Sequence, residues 1–125
     1  MLPYRYSLQE LKNKAEKLAA EAISPFSVLL FGDLGRGKTT FAQFFIKSLL
    51  INKTQNITSP TFNIVQVYET TKGPIWHVDL FRLKNKEEIF GLALLEAMNN
   101  NICLIEWPEF LKEYIQNYNA ISVKL

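Results

Sequence analysis

A chain of 125 residues is long enough to bury one hydrophobic core and short for two, so a single domain spanning 1–125 is expected. Apolar residues make up 48% and charged residues 21%, a balance that excludes a disordered chain. The net charge of +2 is spread along the sequence and forms no basic stripe of the kind that grips a nucleic-acid backbone.

The first predicted element is an amphipathic helix in "SLQELKNKAEKLAAEA", with Leu8, Leu11, Ala15, Leu18 and Ala22 at helical spacing. Ser7 and Glu10 have the spacing of a capping box, and Tyr6 is placed to staple onto Leu11. "FSVLLF" is a short unbroken apolar run between Pro25 and Gly32, as expected of a strand buried on both faces. "TTFAQFFIKSLL" predicts a largely buried helix. "TFNIVQVYE" and "IWHVDLF" predict two strands joined by a five-residue loop, "TTKGP", in an antiparallel hairpin. "KEEIFGLALLEAM" predicts one helix, "ICLIEW" a buried strand, "PEFLKEYIQ" a helical turn opened by Pro108, and "AISVKL" a last strand. Alternating helices and strands around two buried strands indicate an α/β fold with a mostly parallel sheet, an antiparallel part and flanking helices.

Cys103 has no second cysteine to pair with, and its run "NICLIEW" suggests a small buried apolar residue. His77 has no Cys or His company for a zinc site. "MLPYRYSLQE" lacks the apolar core of a signal peptide, and no apolar run approaches the roughly 20 residues of a membrane span. A cytoplasmic protein with no membrane partner is expected.

Three glycines, Gly32, Gly35 and Gly37, fall within "FGDLGRGKTT". Gly32, four residues, Gly37, Lys38 and Thr39 form a complete phosphate-loop pattern between a predicted strand and a predicted helix. Residues without a Cβ let the backbone curl so that several N–H groups face phosphate oxygens, and the helix adds the positive end of its dipole. In this pattern Lys38 reaches the β- and γ-phosphates and the Thr39 hydroxyl binds Mg²⁺.

A phosphate loop needs an acid at the end of an apolar strand, to hold Mg²⁺ through its waters or to orient the attacking water. Asp79 ends "IWHVD" and Glu106 ends "ICLIE", each placed for the carboxyl edge of the sheet. A strand-end carboxylate can also cap a neighbouring helix, but two of them beside a phosphate loop favour function. Strand alternation puts His77 on the Asp79 face, as a support for the site or as a hydrogen-bonded structural histidine. In "TSPTF" the Thr61 hydroxyl is a candidate γ-phosphate sensor, set against a plain turn held by Pro60.

Neither "NKTQ" nor "NKEE" ends in the Asp of a guanine-reading motif, and no Asp-x-x-Gly follows the loop, which speaks against a GTPase. Arg82 is the one arginine after Arg36, too few for the arginine-rich lid of a small-molecule kinase, which is kept as the alternative.

"GDLGRGKTTF", "SPTF", "HVDLFRL" and "LIEWPE" occur in the order and spacing of the TsaE (YjeE) family, which the chain resembles from its first helix to "LIEWPE". The loop is common to many families, whereas the four blocks together are specific. The resemblance implies a P-loop NTPase fold and a bacterial ATPase, feeble alone, that supports a TsaB–TsaD complex making threonylcarbamoyladenosine in tRNA. It implies ATP and Mg²⁺ as ligands, and tRNA met only through the complex. By the same resemblance Gly35, Gly37, Lys38, Thr39 and Thr40 hold the phosphates, with Thr39 on Mg²⁺. Glu106 is the acid near the metal, Asp79 a further essential carboxylate with a catalytic role, and Thr61 part of a switch. Trp107 matches a tryptophan beside the nucleotide. Arg36 stands where the family commonly has alanine. It is grouped with the nucleotide-binding residues, with contact to a phosphate, contact to a partner and exposure to solvent all left open. Phe81 replaces the usual tyrosine of "DLYRL". The family usually continues past "AISVKL" with another strand, which the resemblance implies is missing here.

Overall fold

A computed structural model describes residues 7–33, 37–60, 64–85 and 87–125. Ser7 opens helix α1 (Leu8–Glu21) with the predicted capping box. Its hydroxyl accepts the Glu10 N–H and the Glu10 carboxylate accepts the Ser7 N–H, both at 3.1 Å. These bonds hold the Glu10 carboxyl below its usual pKa. Tyr6, the predicted staple, lies outside the described residues. The buried stripe of α1 is Leu11, Ala15 and Ala19, whereas Leu8 is 65% exposed. The predicted stripe thus holds at Leu11, Ala15 and Ala22, with Leu18 partly buried against the core; Leu8 falls outside it and Ala19 joins it.

Strand β1 (Phe26–Phe31) is buried along its middle, and helix α2 (Lys38–Leu49) follows it with Phe41, Ala42, Phe45 and Ile46 buried. Strands β2 (Val65–Thr70) and β3 (Gly73–Asp79) form the antiparallel hairpin. The predicted five-residue loop is corrected to two residues, because Thr70 pairs with Gly73 and Pro74 with Glu69. The Thr70 hydroxyl tightens the turn by accepting the Lys72 N–H at 3.1 Å and donating to the Gly73 carbonyl at 2.6 Å. Gly73, at φ 88°, sits where a side chain would strain the backbone.

The single helix predicted over 86–98 is instead two, α3 (Glu88–Gly91) and α4 (Leu94–Asn100). Ala93 takes a left-handed conformation at φ 56°, which breaks the hydrogen-bond ladder between them. Strand β4 (Ile102–Glu106) is buried throughout, and 3₁₀ turns over Pro108–Leu111 and Ile115–Asn117 lead to strand β5 (Ala120–Lys124).

The sheet runs β2-β3-β4-β1-β5, parallel except for β2 at one edge. With helices on both faces, this is the expected α/β P-loop architecture. Val28, Leu30, Ile75, Ile102 and Leu104 meet α1 and α2 on one face. Leu29, Val78, Cys103 and Ile105 meet α4 and Leu111 on the other. Alternation along each strand produces the two layers. Cys103 is the buried apolar residue expected, and burial pushes its thiol pKa up to about 12. No helix among the described residues is long and apolar enough to cross a membrane.

The hairpin turn also ties down α1, which has no basic residue in its last turn. The Lys72 ammonium donates to the carbonyls of Ala19, Ala20 and Ala22 at 2.7, 2.8 and 2.6 Å. It satisfies acceptors that a helix end leaves open and sits at the negative end of the dipole.

Candidate functional site

Parallel registers bring the two predicted acids to one edge of the sheet. Asp79 pairs with Glu106 across β3 and β4, and Glu106 pairs with Leu30 across β4 and β1. The turn from β1 into α2 leaves the sheet at this same edge. Its last residue, Gly37, is left-handed at φ 93°, and a Cβ there would stand 3.3 Å from Leu11 Cδ2. Both backbone and space call for glycine. The first backbone bond of α2 runs from the Phe41 N–H to the Gly37 carbonyl at 2.8 Å. The N–H groups of Lys38, Thr39 and Thr40 precede it and have no partner within the helix.

Lys38 is buried, and its ammonium donates to the carbonyls of Gly32 and Asp33 at 2.6 and 2.9 Å. It also lies 4.2 Å from the centre of the Trp107 ring. Burial lowers its pKa, against an opposing pull from Glu106 and Asp79. Thr39 Oγ1 donates toward both oxygens of Glu106, at 2.8 and 2.9 Å. Glu106 is 2% exposed, and its Oε2 lies 2.7 Å from Nε2 of the fully buried His77. Asp79 Oδ1 accepts the Phe81 N–H at 3.0 Å. Burial raises the Asp79 pKa, as does Glu106, while the Phe81 N–H, His77 and Lys38 oppose the rise. Trp107 turns out of β4 in a left-handed conformation at φ 57° and stacks obliquely on Phe81, 4.8 Å between ring centres.

These side chains surround a cavity of about 460 Å³, a size suited to a cofactor or small ligand. Gly37, Lys38, Thr39 and Thr40 line it from the start of α2, Asp79, Phe81 and Arg82 from the end of β3 onward, and Glu106 and Trp107 from the end of β4, together with Ser59. The donor set suits a magnesium nucleotide. N–H groups without a partner inside the helix and an ammonium suit an anion, and a hydroxyl beside a buried carboxylate offers hard oxygen to a divalent cation. Among the described residues no three His, Cys, Asp or Glu side chains converge on a metal position.

A family model, "Threonylcarbamoyl adenosine biosynthesis protein TsaE", matches residues 6–125. The chain belongs to the TsaE family. It is 48% identical over 110 residues to the tRNA threonylcarbamoyladenosine biosynthesis protein TsaE of Rickettsia prowazekii, covering 87% of this chain and 75% of that one. Against the protein of the same name from Rickettsia felis it is 47% identical over 108 residues, 86% of this chain and 63% of the relative. Against that from Bacillus subtilis it is 38% identical over 100 residues, 79% and 61%. The matched stretch thus spans between three fifths and three quarters of these relatives' lengths.

In this TsaE-family fold Gly37, Lys38, Thr39, Thr40, Asp79, Glu106 and Trp107 converge on one cavity. Gly35, Arg36 and Thr61 lie outside the described residues. Ser59, in the same "TSPTF" stretch as Thr61, also lines the cavity and was not among the expected site residues. His77, expected either to support the site or to be a hydrogen-bonded structural histidine, does not line the cavity but bonds to Glu106. A lone histidine two residues before Asp79 carries little signal beyond its face, and its bond to Glu106 is visible only in three dimensions.

Proposed function

We propose that this TsaE-family protein binds and hydrolyses Mg-ATP in the making of threonylcarbamoyladenosine in tRNA, together with a TsaB–TsaD-like pair. The observation that carries the nucleotide part is the Thr39 hydroxyl on the Glu106 carboxylate at the start of α2, with the Lys38 ammonium beside it. The tRNA part rests on the names of the relatives and on membership of the family.

The residues divide the work as follows. The N–H groups of Lys38, Thr39 and Thr40 and the Lys38 ammonium bind the phosphates, exchanging two neutral carbonyls for anionic oxygens. Thr39 and Glu106 would hold Mg²⁺, which would supply charge neutralisation at the phosphates. Glu106, already engaged with Thr39, serves the metal side. Asp79 lines the cavity and orients the attacking water, and its raised pKa suits a group that takes up a proton. Water adds to the γ-phosphorus, the bond to the bridging oxygen breaks, and ADP and phosphate leave. Trp107 and Phe81 form an apolar wall beside Lys38.

Partner dependence is the family's expected behaviour. Among the described residues Arg82 lines the cavity, where a docked protein can act on it, and Thr61 is the candidate γ-phosphate sensor that docking would engage. The deciding experiment is an ATPase assay with and without a TsaB–TsaD pair. The expected result is slow turnover alone, a large rise with the pair, and loss of the rise in Thr61→Ala. Equal rates with and without the pair, with a metabolite emerging phosphorylated, would favour a small-molecule kinase instead.

A further inference from the structure

Glu106 is buried and has two neighbours of different kinds. Thr39 belongs to the loop and helix that meet the ligand. His77 lies inside the sheet, on β3, does not line the cavity itself, and meets it through Glu106. A carboxylate accepts and does not donate, so the 2.7 Å contact requires the proton on His77 Nε2. The other ring nitrogen, Nδ1, is buried and meets no hydrogen-bonding partner among the described residues. The ring's polar engagement in the fold is thus concentrated on this one carboxylate.

We propose that His77 is a positioning residue for the metal side of the site. It fixes Glu106 so that the carboxylate takes the Thr39 proton and leaves a hydroxyl lone pair for a divalent cation. The inference rests on the nucleotide reading above and adds a residue to it.

The chemistry is that of the hydroxyl group. Thr39 Oγ1 has one proton and two lone pairs, and a fixed acceptor for the proton also fixes where the lone pairs point. A glutamate side chain with no second anchor is free to rotate away, taking the acceptor with it. Water cannot replace the anchor easily, since His77 is fully buried and Glu106 almost so. The sheet supplies the geometry. His77 pairs with Leu104 and Asp79 with Glu106, so the histidine reaches one step diagonally along the face to the acid. One strand thus carries both the second carboxylate and the anchor of the first. Outer partners of this kind set ligand orientation, and their loss typically lowers metal affinity by about 10- to 100-fold.

The test is calorimetry of ADP binding to the full chain at stepped Mg²⁺ concentrations, for wild type, His77→Leu and His77→Gln. In His77→Leu the Mg²⁺ needed for half the metal-dependent gain in affinity should rise about tenfold or more. ADP affinity without metal should stay as in wild type. In His77→Gln, whose amide N–H can replace Nε2–H, the requirement should return most of the way. Purely structural damage would lower the melting temperature and move both affinities together, without rescue by glutamine. An unchanged Mg²⁺ requirement in His77→Leu, or a glutamine variant as impaired as leucine, overturns the proposal. If the leucine variant does not fold, His77→Asn takes its place. Its shorter amide falls short of Glu106, so an equal requirement in the asparagine and glutamine variants overturns the proposal. Nitrogen-15 NMR of the metal-free protein gives an independent readout: a His77 Nε2 without a proton also overturns it. If wild type shows no Mg²⁺-dependent ADP binding, it is the nucleotide reading that fails, a result distinct from every variant-specific outcome.

Discussion

Asp79 and Glu106 are register partners at the carboxyl ends of adjacent parallel strands, and the Lys38 ammonium is the cation that answers both. Each acid raises the Lys38 pKa, and Lys38 in turn lowers that of Asp79. Two acids placed this close in the sheet repel each other, and the arrangement is stabilised by the lysine between the strand ends and the loop.

Replacing Lys38 with alanine removes the ammonium and leaves the carbonyls of Gly32 and Asp33 without it. A charged hydrogen bond to phosphate is worth about 1.5–3 kcal/mol, so nucleotide affinity should fall about 10- to 100-fold. Calorimetry against ADP checks this, and an unchanged dissociation constant would remove Lys38 from the site.

Asp79→Asn and Glu106→Gln preserve shape and delete charge. Each should lower turnover by about 10²–10³ when measured with the partner pair, while the protein stays folded. A near-normal rate in either variant would return that residue to a structural role.

The raised Asp79 pKa has a consequence for stability. The folded protein retains a proton where the unfolded chain, titrating near 3.8, has released it. Stability therefore falls as pH rises from that value through the folded-state pKa, and the whole loss is present above it. Asp79→Asn has no such loss, and its amide oxygen can still accept the Phe81 N–H. The variant should melt at a higher temperature than wild type near neutral pH, and the gap should close below pH 3.8. Melting curves across pH decide it; a gap of constant size, or of opposite sign, contradicts the account.

Lys72→Met retains the length of the side chain and removes its donors. The ammonium holds three carbonyls at the end of α1, so the loss should be about 1–2 kcal/mol in denaturant unfolding. Lys72→Arg should recover part of it. A methionine variant with the wild-type midpoint would show that these bonds contribute nothing.

Much of this was legible in the sequence because the decisive signals are local. Ser7 and Glu10 are three residues apart, the β1 run is unbroken, and Asp79 and Glu106 each end an apolar run. What was hidden joins distant parts of the chain or leaves composition unchanged. Lys72 reaching back to Ala19 has no periodicity, and an alanine at position 93 gives no sign that its backbone will turn left-handed. Thr70 looked like a loop residue because its closing bonds, to Lys72 and Gly73, depend on the turn they create. His77 could be assigned a face but not a partner, since its ring bonds to a carboxylate on another strand.

The pairing pattern of β1 also sets an order of assembly. Its neighbours are β4 and β5, from the far part of the chain, whereas β2 and β3 meet through a two-residue turn. Hairpins close within microseconds, while contacts between distant segments wait on loop closure and come later. The strand that leads into the phosphate loop is therefore flanked late, and Glu106 and its register partner Asp79 come together only once β4 has docked. On the proposed nucleotide reading, a nucleotide that meets the chain before then finds Lys38 and Thr39 without Glu106, so tight binding should serve as a clock for the last step of folding.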